Sequence, residues 1–507
     1  MSYKLQMFDL QREGEVSITQ QLVSLFAQLI DDGELAPGER LPATRALAAD
    51  VAINHLTAVR VYRRLAELGY VTAAVGRGTF VRQRVPLPAT PNTGAGRAAD
   101  NDDWQLGMLA VRPMTYADEM LRDSLHAPLA GDVIALGSGY PDPELCPSAE
   151  LATIAAEIAR ADPRAATDYL QVEGLPQLRE RLAEIGREAG YATSTDEILV
   201  TSGARQALDL IARAVLGPGD VAVIESPTFA GALASLQATG ARVLPLPVDA
   251  DGADIDALER LLARHEVKLV ALQEACQNPT GATLSPARRA RLLELARTRG
   301  FFVLDDGVYS TMRFDGPPLR RMRADAPSHV IYVDSLSKTI GGGLRIGWIA
   351  ASGPVLTRLV QLKIDSDIHT SALPQHLAAR YLSGDRHELL LARALPVYKR
   401  RRDTLLAALE RHLAHDATWT VPEGGHHIWL TMREPVDERA LYIEAMRAGM
   451  AFLPGGAVMA EKSSRTSMRL SFGLVEPALH DEGIRRLAVA LREVHRRGRG
   501  ATTGALS

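Results

Sequence analysis

The sequence predicts a multidomain molecule: an α+β winged helix-turn-helix at the N-terminus, a flexible linker, and a much larger α/β domain behind it. Three observations carry this. The chain has 507 residues, too many for one ordinary domain. Residues 15–83 show helical spacing followed by two short strand-like runs around a basic tip. From 128 to 495, apolar strand-like runs alternate with helical runs, the pattern of an α/β domain with a largely parallel sheet. Between them, residues 84–127 contain PLPATPNTGAGRAADNDD, rich in Pro, Gly, Ala and Asp with little periodicity, which reads as the linker. The end, RRGRGATTGALS, reads as a disordered tail over 496–507.

Composition narrows the class. With 46% hydrophobic and 23% charged residues the chain reads as soluble and globular. No run of about 18 apolar residues predicts a spanning helix, and MSYKLQMFDLQREGE lacks the apolar core of a signal peptide, so a cytoplasmic location is expected. Cys146 and Cys276 cannot build a disulfide framework, and no Cys/His spacing predicts a metal site. The net charge of −4 taken alone argues against nucleic acid. Its distribution argues the other way. Eight arginines lie between Arg40 and Arg84 against only Asp50 and Glu67, and a local basic excess of this kind is what a DNA contact needs.

In the N-terminal module, Ile18, Leu22, Leu25, Phe26, Leu29 and Ile30 recur at helical spacing, with a stop near Gly33. Pro37-Gly38 makes a turn, and Thr44 is placed to cap a short helix over 44–50. A third helix is expected from about Asn54 to Leu68, with Val59, Tyr62, Leu65 and Ala66 on its apolar side. GYVTAAV and GTFVRQ then form a hairpin with Gly76-Arg77-Gly78 at its tip. Such a third helix suits the major groove, and such a tip suits the minor groove or phosphates. The segment GELAPGERLPATRALAAD…TAVRVYRRLAELGYVTAAVGRGTFV resembles the GntR-type family over about 65 residues. The resemblance implies that Thr44, Arg45, His55, Thr57, Arg60, Arg77, Gly78 and Thr79 face DNA. Where that family usually has Ser-Arg, this chain has Asn54-His55, so a permanent cation is missing at that point.

The α/β region carries a constellation. SLSKTIGGGLRIGW (335–348) follows the apolar run VIYV and delivers Lys338 into a loop of small residues, with Arg345 seven residues on. ILVTSGARQALDLIARAVL (198–216) reads as strand, tight turn and helix, so Ser202-Gly203-Ala204 opens a helix whose free N–H groups form an anion site. ESPTF ends a strand with Phe229 placed to stack on a flat ring. QNPTG puts Asn278 in a turn. FFVLDDGVYS ends a strand in Asp305-Asp306, with Tyr309 three residues beyond, and SMRLSFG places Arg469 near the end of the domain. A phosphate cup, a ring stacker, a strand-end carboxylate, a reactive lysine and a remote arginine together suit pyridoxal 5'-phosphate.

At these motifs the chain is similar to class I/II aminotransferases of fold type I, over about 360 residues, which implies a large and a small subdomain. By that resemblance Lys338 is the Schiff-base lysine, and Asp306, chosen over Asp305 by the Asp-x-x-Tyr spacing, pairs with the pyridine nitrogen. Tyr309 and Asn278 would bond the ring hydroxyl, and Phe229 would stack on the ring. Ser202, Gly203, Ala204, Ser335, Ser337 and Arg345 would surround the phosphate. Tyr169 would reach the phosphate of a partner subunit. Arg469 would bind an amino acid carboxylate, and the loop from Gly139 and Tyr140 to Asp142 would line the substrate side. Gly341-Gly342-Gly343 replaces the more usual proline-containing loop. His426 and His427 before IWL read first as packed residues and only secondarily as site residues, and both cysteines read as structural.

A GntR-type reader ahead of an aminotransferase-like domain resembles the MocR-type regulators. This implies a homodimer with swapped readers, binding double-stranded DNA and sensing PLP or an amino acid or amine through aldimine formation at Lys338. The alternative is a catalytically active PLP-dependent aminotransferase that carries a DNA-binding domain.

Overall fold

The computed structural model describes residues 18–31, 35, 39–51, 53–67, 70–74, 78–81, 120–122, 127, 133–192, 194–316, 318–461 and 463–503. The chain divides into two compact units, Met1–Ala110 and Val111–Ser507. Nearly all of the segment read as linker lies outside the described residues. Within it, Met120 is buried in the core of the larger unit.

In the smaller unit, helices α1 (Ile18–Asp31), α2 (Thr44–Asp50) and α3 (His55–Glu67) precede an antiparallel hairpin of β1 (Val71–Ala74) and β2 (Gly78–Val81). Backbone bonds from Leu41 N to Thr79 O and from Val81 N to Glu39 O, both 2.8 Å, give β2 a second partner. Leu22, Phe26, Leu47, Val61, Leu65, Val71 and Val81 form one core that joins all five elements. The Tyr62 hydroxyl donates to the carbonyl of Pro42 at 2.8 Å, which holds α3 against the turn before α2.

One local expectation is corrected. Val59 does not belong to the apolar side of α3. At 100° per residue the buried stripe is Ala58, Val61, Tyr62 and Leu65, while Val59 is 40% exposed, one turn from His55 and Arg63. The second helix begins at Thr44 as expected, and the Thr44 hydroxyl lies 3.1 Å from His55 Nε2.

The first strand of the larger unit is β3 (Ile134–Ala135), and the unit is built on an eight-stranded sheet. Its strands are β4 (Ile198–Thr201), β5 (Val221–Ser226), β6 (Arg242–Asp249), β7 (Gly252–Ala253), β8 (Val267–Leu272), β9 (Phe302–Asp306), β10 (Val330–Ser335) and β11 (Gly347–Ala350). They lie in the order β4-β11-β10-β9-β8-β5-β6-β7. The run β6-β5-β8-β9-β10 is parallel, and β11 is antiparallel to both β10 and β4.

Alternation of side chains along each strand builds two cores from one sheet. Ile224, Ala271 and Leu304 pack with Leu208 and Ile211 of α4 (Ala204–Val215). Their neighbours Val223, Val270 and Val303 pack with Leu258 of α5 (Ile255–Leu262) and Leu292 of α6 (Pro286–Arg299).

A second layer follows α7 (Pro354–Asp367) and the 28-residue α8 (Arg386–Leu413). The antiparallel sheet β12-β13-β16-β15 comprises β12 (Ala417–Trp419), β13 (His427–Met432), β15 (Leu453–Pro454) and β16 (Ser467–Ser471), while β14 (Met450–Ala451) pairs with β3. Leu405, Ile428, Leu470 and Ile484 pack this sheet between α8 and α9 (Pro477–Thr503). The sequence expects a tail from 496, but α9 runs on to Thr503. Glu493 pairs with Arg496 and Arg497, and Arg497 reaches Glu444, so charge pairs hold the helix at the point where the tail was expected to begin.

Candidate functional site

Parallel strands direct their carboxyl ends to one edge of a sheet, and ligands bind outside that edge. Ser202 follows β4, Gln273 follows β8, Asp306 ends β9, and Lys338 closes a short turn after β10. The topology therefore brings these distant segments together. Lys338 Nζ donates to the carbonyl of Gly139 at 2.9 Å and lies 5.6 Å from the centre of the Tyr309 ring. Desolvation, helped by the charges of Arg469 and Arg345, pulls its amine down to about 8, with Asp306 opposing. A lysine in this state supplies neutral amine near physiological pH.

Neighbours on a strand point to opposite faces, and this separates the two carboxyls ending β9. Asp305 accepts from the backbone N–H of Glu274 at 3.4 Å, on the side of Arg321. Asp306 Oδ2 accepts from Gln273 Nε2 at 3.0 Å, while Asp306 Oδ1 is buried and has no partner among the described residues. Burial raises Asp306 to about 6.

Arg469, on β16, donates through Nη1 to Asn278 Oδ1 at 3.0 Å and through Nη2 to the carbonyl of Gly137 at 2.7 Å; its Nε is buried and open. Tyr309 and Asn278 thus stand beside the lysine, but in this state Tyr309 bonds His427 Nε2 at 2.9 Å and Asn278 bonds Arg469. Gly139 has a steric reason to be glycine: a Cβ there would lie 3.0 Å from His427 Cε1 and 3.4 Å from Arg469 Nη2.

Gly203, at φ +84°, leads into α4. A side chain there would be strained and would also meet Arg345 Nη2 at 2.7 Å. Arg345 Nη2 in turn donates to the carbonyl of Ser202 at 2.9 Å. Ser335 Oγ lies 2.9 Å from Ser337 Oγ and also bonds the carbonyl of Ile346. Ser202, Gly203, Ala204, Ser335, Ser337 and Arg345 therefore share one corner, at the N-terminus of a 12-residue helix. Phe229 caps the helix Ala230–Ala238 and packs partly buried beside that corner. Tyr169 is 82% exposed with its ring edge against His369, and Tyr140 is 45% exposed.

Pyridoxal 5'-phosphate fits this donor set. An unpartnered buried carboxylate oxygen awaits an N–H, a desolvated amine stands beside it, and a glycine-floored helix N-terminus with an adjacent arginine suits a phosphate.

Comparison with known proteins agrees. The model of aminotransferase class I and II matches residues 131–487, and that of the bacterial regulatory proteins, gntR family, matches 18–81. This chain is a MocR-type member of the class I and II aminotransferase family. Aromatic-amino-acid aminotransferase 1 of Thermococcus litoralis is 36% identical over 74% of this chain and 91% of its own length. The probable rhizopine catabolism regulatory protein MocR of Rhizobium meliloti is 28% identical over 96% of each chain. The crystal structure of multiple substrate aminotransferase from Thermococcus profundus superposes with a TM-score of 0.71 at 32% identity, covering 76% of this chain and 98% of that one. MocR-type regulators join a gntR-type DNA-binding domain to a domain of fold type I, and the cofactor of that domain is pyridoxal 5'-phosphate.

On the regulator's reader unit, Arg60 is exposed on α3, Thr57 is half-buried, Arg45 lies in α2, and Gly78 and Thr79 lie in β2. Arg77 lies outside the described residues. Val59 and Arg63 join the exposed face of α3, and the sequence reading left both out of the DNA-facing set.

In the larger unit three further side chains were missed or underrated. Gln273 had one available signal, a polar residue directly after the apolar run LVAL. His427 bonds Tyr309. His426 is fully buried against Tyr398 and Tyr309, neither of its ring nitrogens has a partner among the described residues, and burial lowers it to about 3. Beneath the substrate-side loop, Asp142 forms a buried pair with Arg401 of α8, which also donates to the carbonyl of Gly473 at 2.7 Å.

Among the described residues no helix is long and apolar enough to cross a membrane, and no group of side chains is arranged for a metal ion.

Proposed function

We propose that this regulator changes its hold on DNA when an amino acid or amine takes the place of Lys338 on the cofactor. The observation that carries the proposal is the pairing, in one chain, of an outward basic helix with a buried amine, carboxylate and arginine that converge on one point. When bound, the cofactor supplies an aldehyde carbon and an electron-withdrawing ring. This chain's residues do the rest. Lys338 would present an amine whose neutral form is available near physiological pH, Asp306 Oδ1 would receive the ring N–H, and Asn278 and Tyr309 would stand at the ring hydroxyl. Phe229 covers the ring. Ser202, Gly203, Ala204, Ser335, Ser337 and Arg345 surround the phosphate, and Arg469 takes the carboxylate of the effector. Two carboxylates of Asp142 and Asp305 are spent elsewhere, on Arg401 and near Arg321, which leaves Asp306 for the ring.

The exposed Tyr169 and Tyr140 support a second copy at this edge, so the proposal includes a homodimer, with readers swapped between copies and the DNA site read in two halves. Duplex DNA meets α2, α3 and the hairpin through Thr44, Arg45, His55, Thr57, Arg60, Arg77, Gly78 and Thr79.

The test is an absorption titration of the PLP-loaded protein with a panel of amino acids and amines, run beside an operator-binding assay. The expected result is one compound that shifts the cofactor band without releasing a keto acid and changes DNA affinity. Lys338→Ala should lose both effects. Arg469→Glu should weaken binding of a carboxylate-bearing effector roughly a hundredfold, the loss of a bidentate charged contact. Steady conversion of amino acids to keto acids without any change in DNA affinity would instead favour the aminotransferase reading.

A further inference from the structure

Asp306 reaches the ring only if its carboxylate is held at the right angle, and the residue that holds it comes from another strand. Gln273 directly follows β8, and its side chain lies almost wholly inside the protein, 6% exposed. Its Nε2 donates to Asp306 Oδ2 at 3.0 Å. Its Oε1 accepts from the backbone N–H of Asn278 at 2.6 Å. Its own backbone N–H donates to Glu225 Oε2 at 3.0 Å, which fixes the base of the side chain. The carboxylate can only accept and the backbone N–H can only donate, so the two neighbours together demand an amide in this one sense. Leucine would satisfy neither, and an ionised glutamate would satisfy Asn278 and repel Asp306.

We propose that Gln273 is a positioning residue for the cofactor: one amide sets the orientation of Asp306 and the place of the Asn278 loop, and so leaves Asp306 Oδ1 open for the ring nitrogen. This rests on the assignment of the pyridoxal phosphate site above. The physical consequence is specific. Without the Nε2 donor the buried Asp306 carboxylate loses the Gln273 bond and is left with the backbone N–H of Val308, and its ionised form is disfavoured. The ring nitrogen then holds its proton less firmly. With less positive charge on the ring, the nitrogen that joins Lys338 to the cofactor keeps its proton to higher pH. The charged and titratable groups around Asp306 are Lys338 after β10, Glu225 at the end of β5, Asp305 beside it on β9, Tyr309 just beyond β9 and Asp334 on β10, and all stay in place in the variants below.

The experiment compares the full-length protein with Gln273→Leu and Gln273→Glu. Three things are measured: PLP affinity by titration, the pH midpoint of the visible band of the lysine-linked cofactor, and the melting temperature without cofactor. Gln273→Leu is expected to weaken PLP binding roughly tenfold, the loss of one hydrogen bond to a charged group, and to move the midpoint upward. Gln273→Glu is expected to resemble the parent at low pH, where its protonated carboxyl donates to Asp306, and the leucine variant at high pH. A packing residue gives no such crossover. An unchanged midpoint and an affinity within about twofold of the parent in Gln273→Leu overturn the proposal, even if its melting temperature falls. If the leucine variant does not fold, a Gln273→Glu protein whose spectrum matches the parent at every pH overturns it equally. A parent protein with no visible band that depends on Lys338 overturns the site assignment itself, and this proposal with it.

Discussion

At Lys338 a single physical change sets the chemistry. An exposed lysine is almost wholly protonated at neutral pH, and only the neutral amine attacks an aldehyde. Burial and two arginines pull this amine down to about 8. A lowered amine pKa means that the reactive form grows as pH rises through that value. In the cofactor-free protein, the rate of PLP attachment should therefore climb from pH 6.5 and level off above about 9, with a midpoint near 8. Stopped-flow absorbance in a series of buffers checks this. A midpoint near 10 would mean that the amine is not shielded. Asp305 and Asp306 show how far one residue of register reaches. The same two side chains fall on opposite faces of β9, and only one of them meets Lys338.

Among the elements, α3 shows how period and burial divide labour. Ala58, Val61, Tyr62 and Leu65 hold the helix in the reader's core, which leaves His55, Val59, Arg60 and Arg63 outward. A cation on this face acts mainly on phosphates. Arg60→Ala should therefore weaken binding to specific and unrelated duplexes alike and lower the slope of log affinity against log salt by about 1. Fluorescence anisotropy at several salt concentrations measures it. An unchanged salt slope would place Arg60 away from the backbone. The helix was legible because its period is strong. The place of Val59 was not, because a count of apolar residues does not say which of them the neighbouring α1 and α2 cover.

For the whole molecule the decisive quantity is a coupling free energy between two sites, and such coupling is reciprocal. If an amine raises or lowers affinity for operator DNA by some factor, that DNA must change affinity for the amine by the same factor. Typical couplings give factors of about 5 to 150. Calorimetric titration of the amine with and without duplex should return the factor seen in DNA binding. Unequal factors would mean that the DNA effect does not arise from the amine at Lys338.

The sequence by itself determined the two-part plan, the reader's helices and hairpin, and the alternating strands and helices of the larger unit, because periodicity and turn residues are local signals. It also named Lys338, Asp306, Asn278, Tyr309, Arg345 and Arg469, because their motifs are contiguous. What only the tertiary structure decided is which of these side chains meet and what steadies them. Gln273 lies 33 positions before Asp306, and His427 lies 118 after Tyr309. Short-range pattern carries nothing across such separations. The parallel sheet brings the strand ends to one edge, the antiparallel sheet supplies Arg469 and His427 from the other side, and burial between them shifts the proton affinity of a lysine, a carboxyl and a histidine. A hydrogen bond made across the fold, in a place without water, depends on the packing of every layer around it, and for that reason it could not be read from the chain alone.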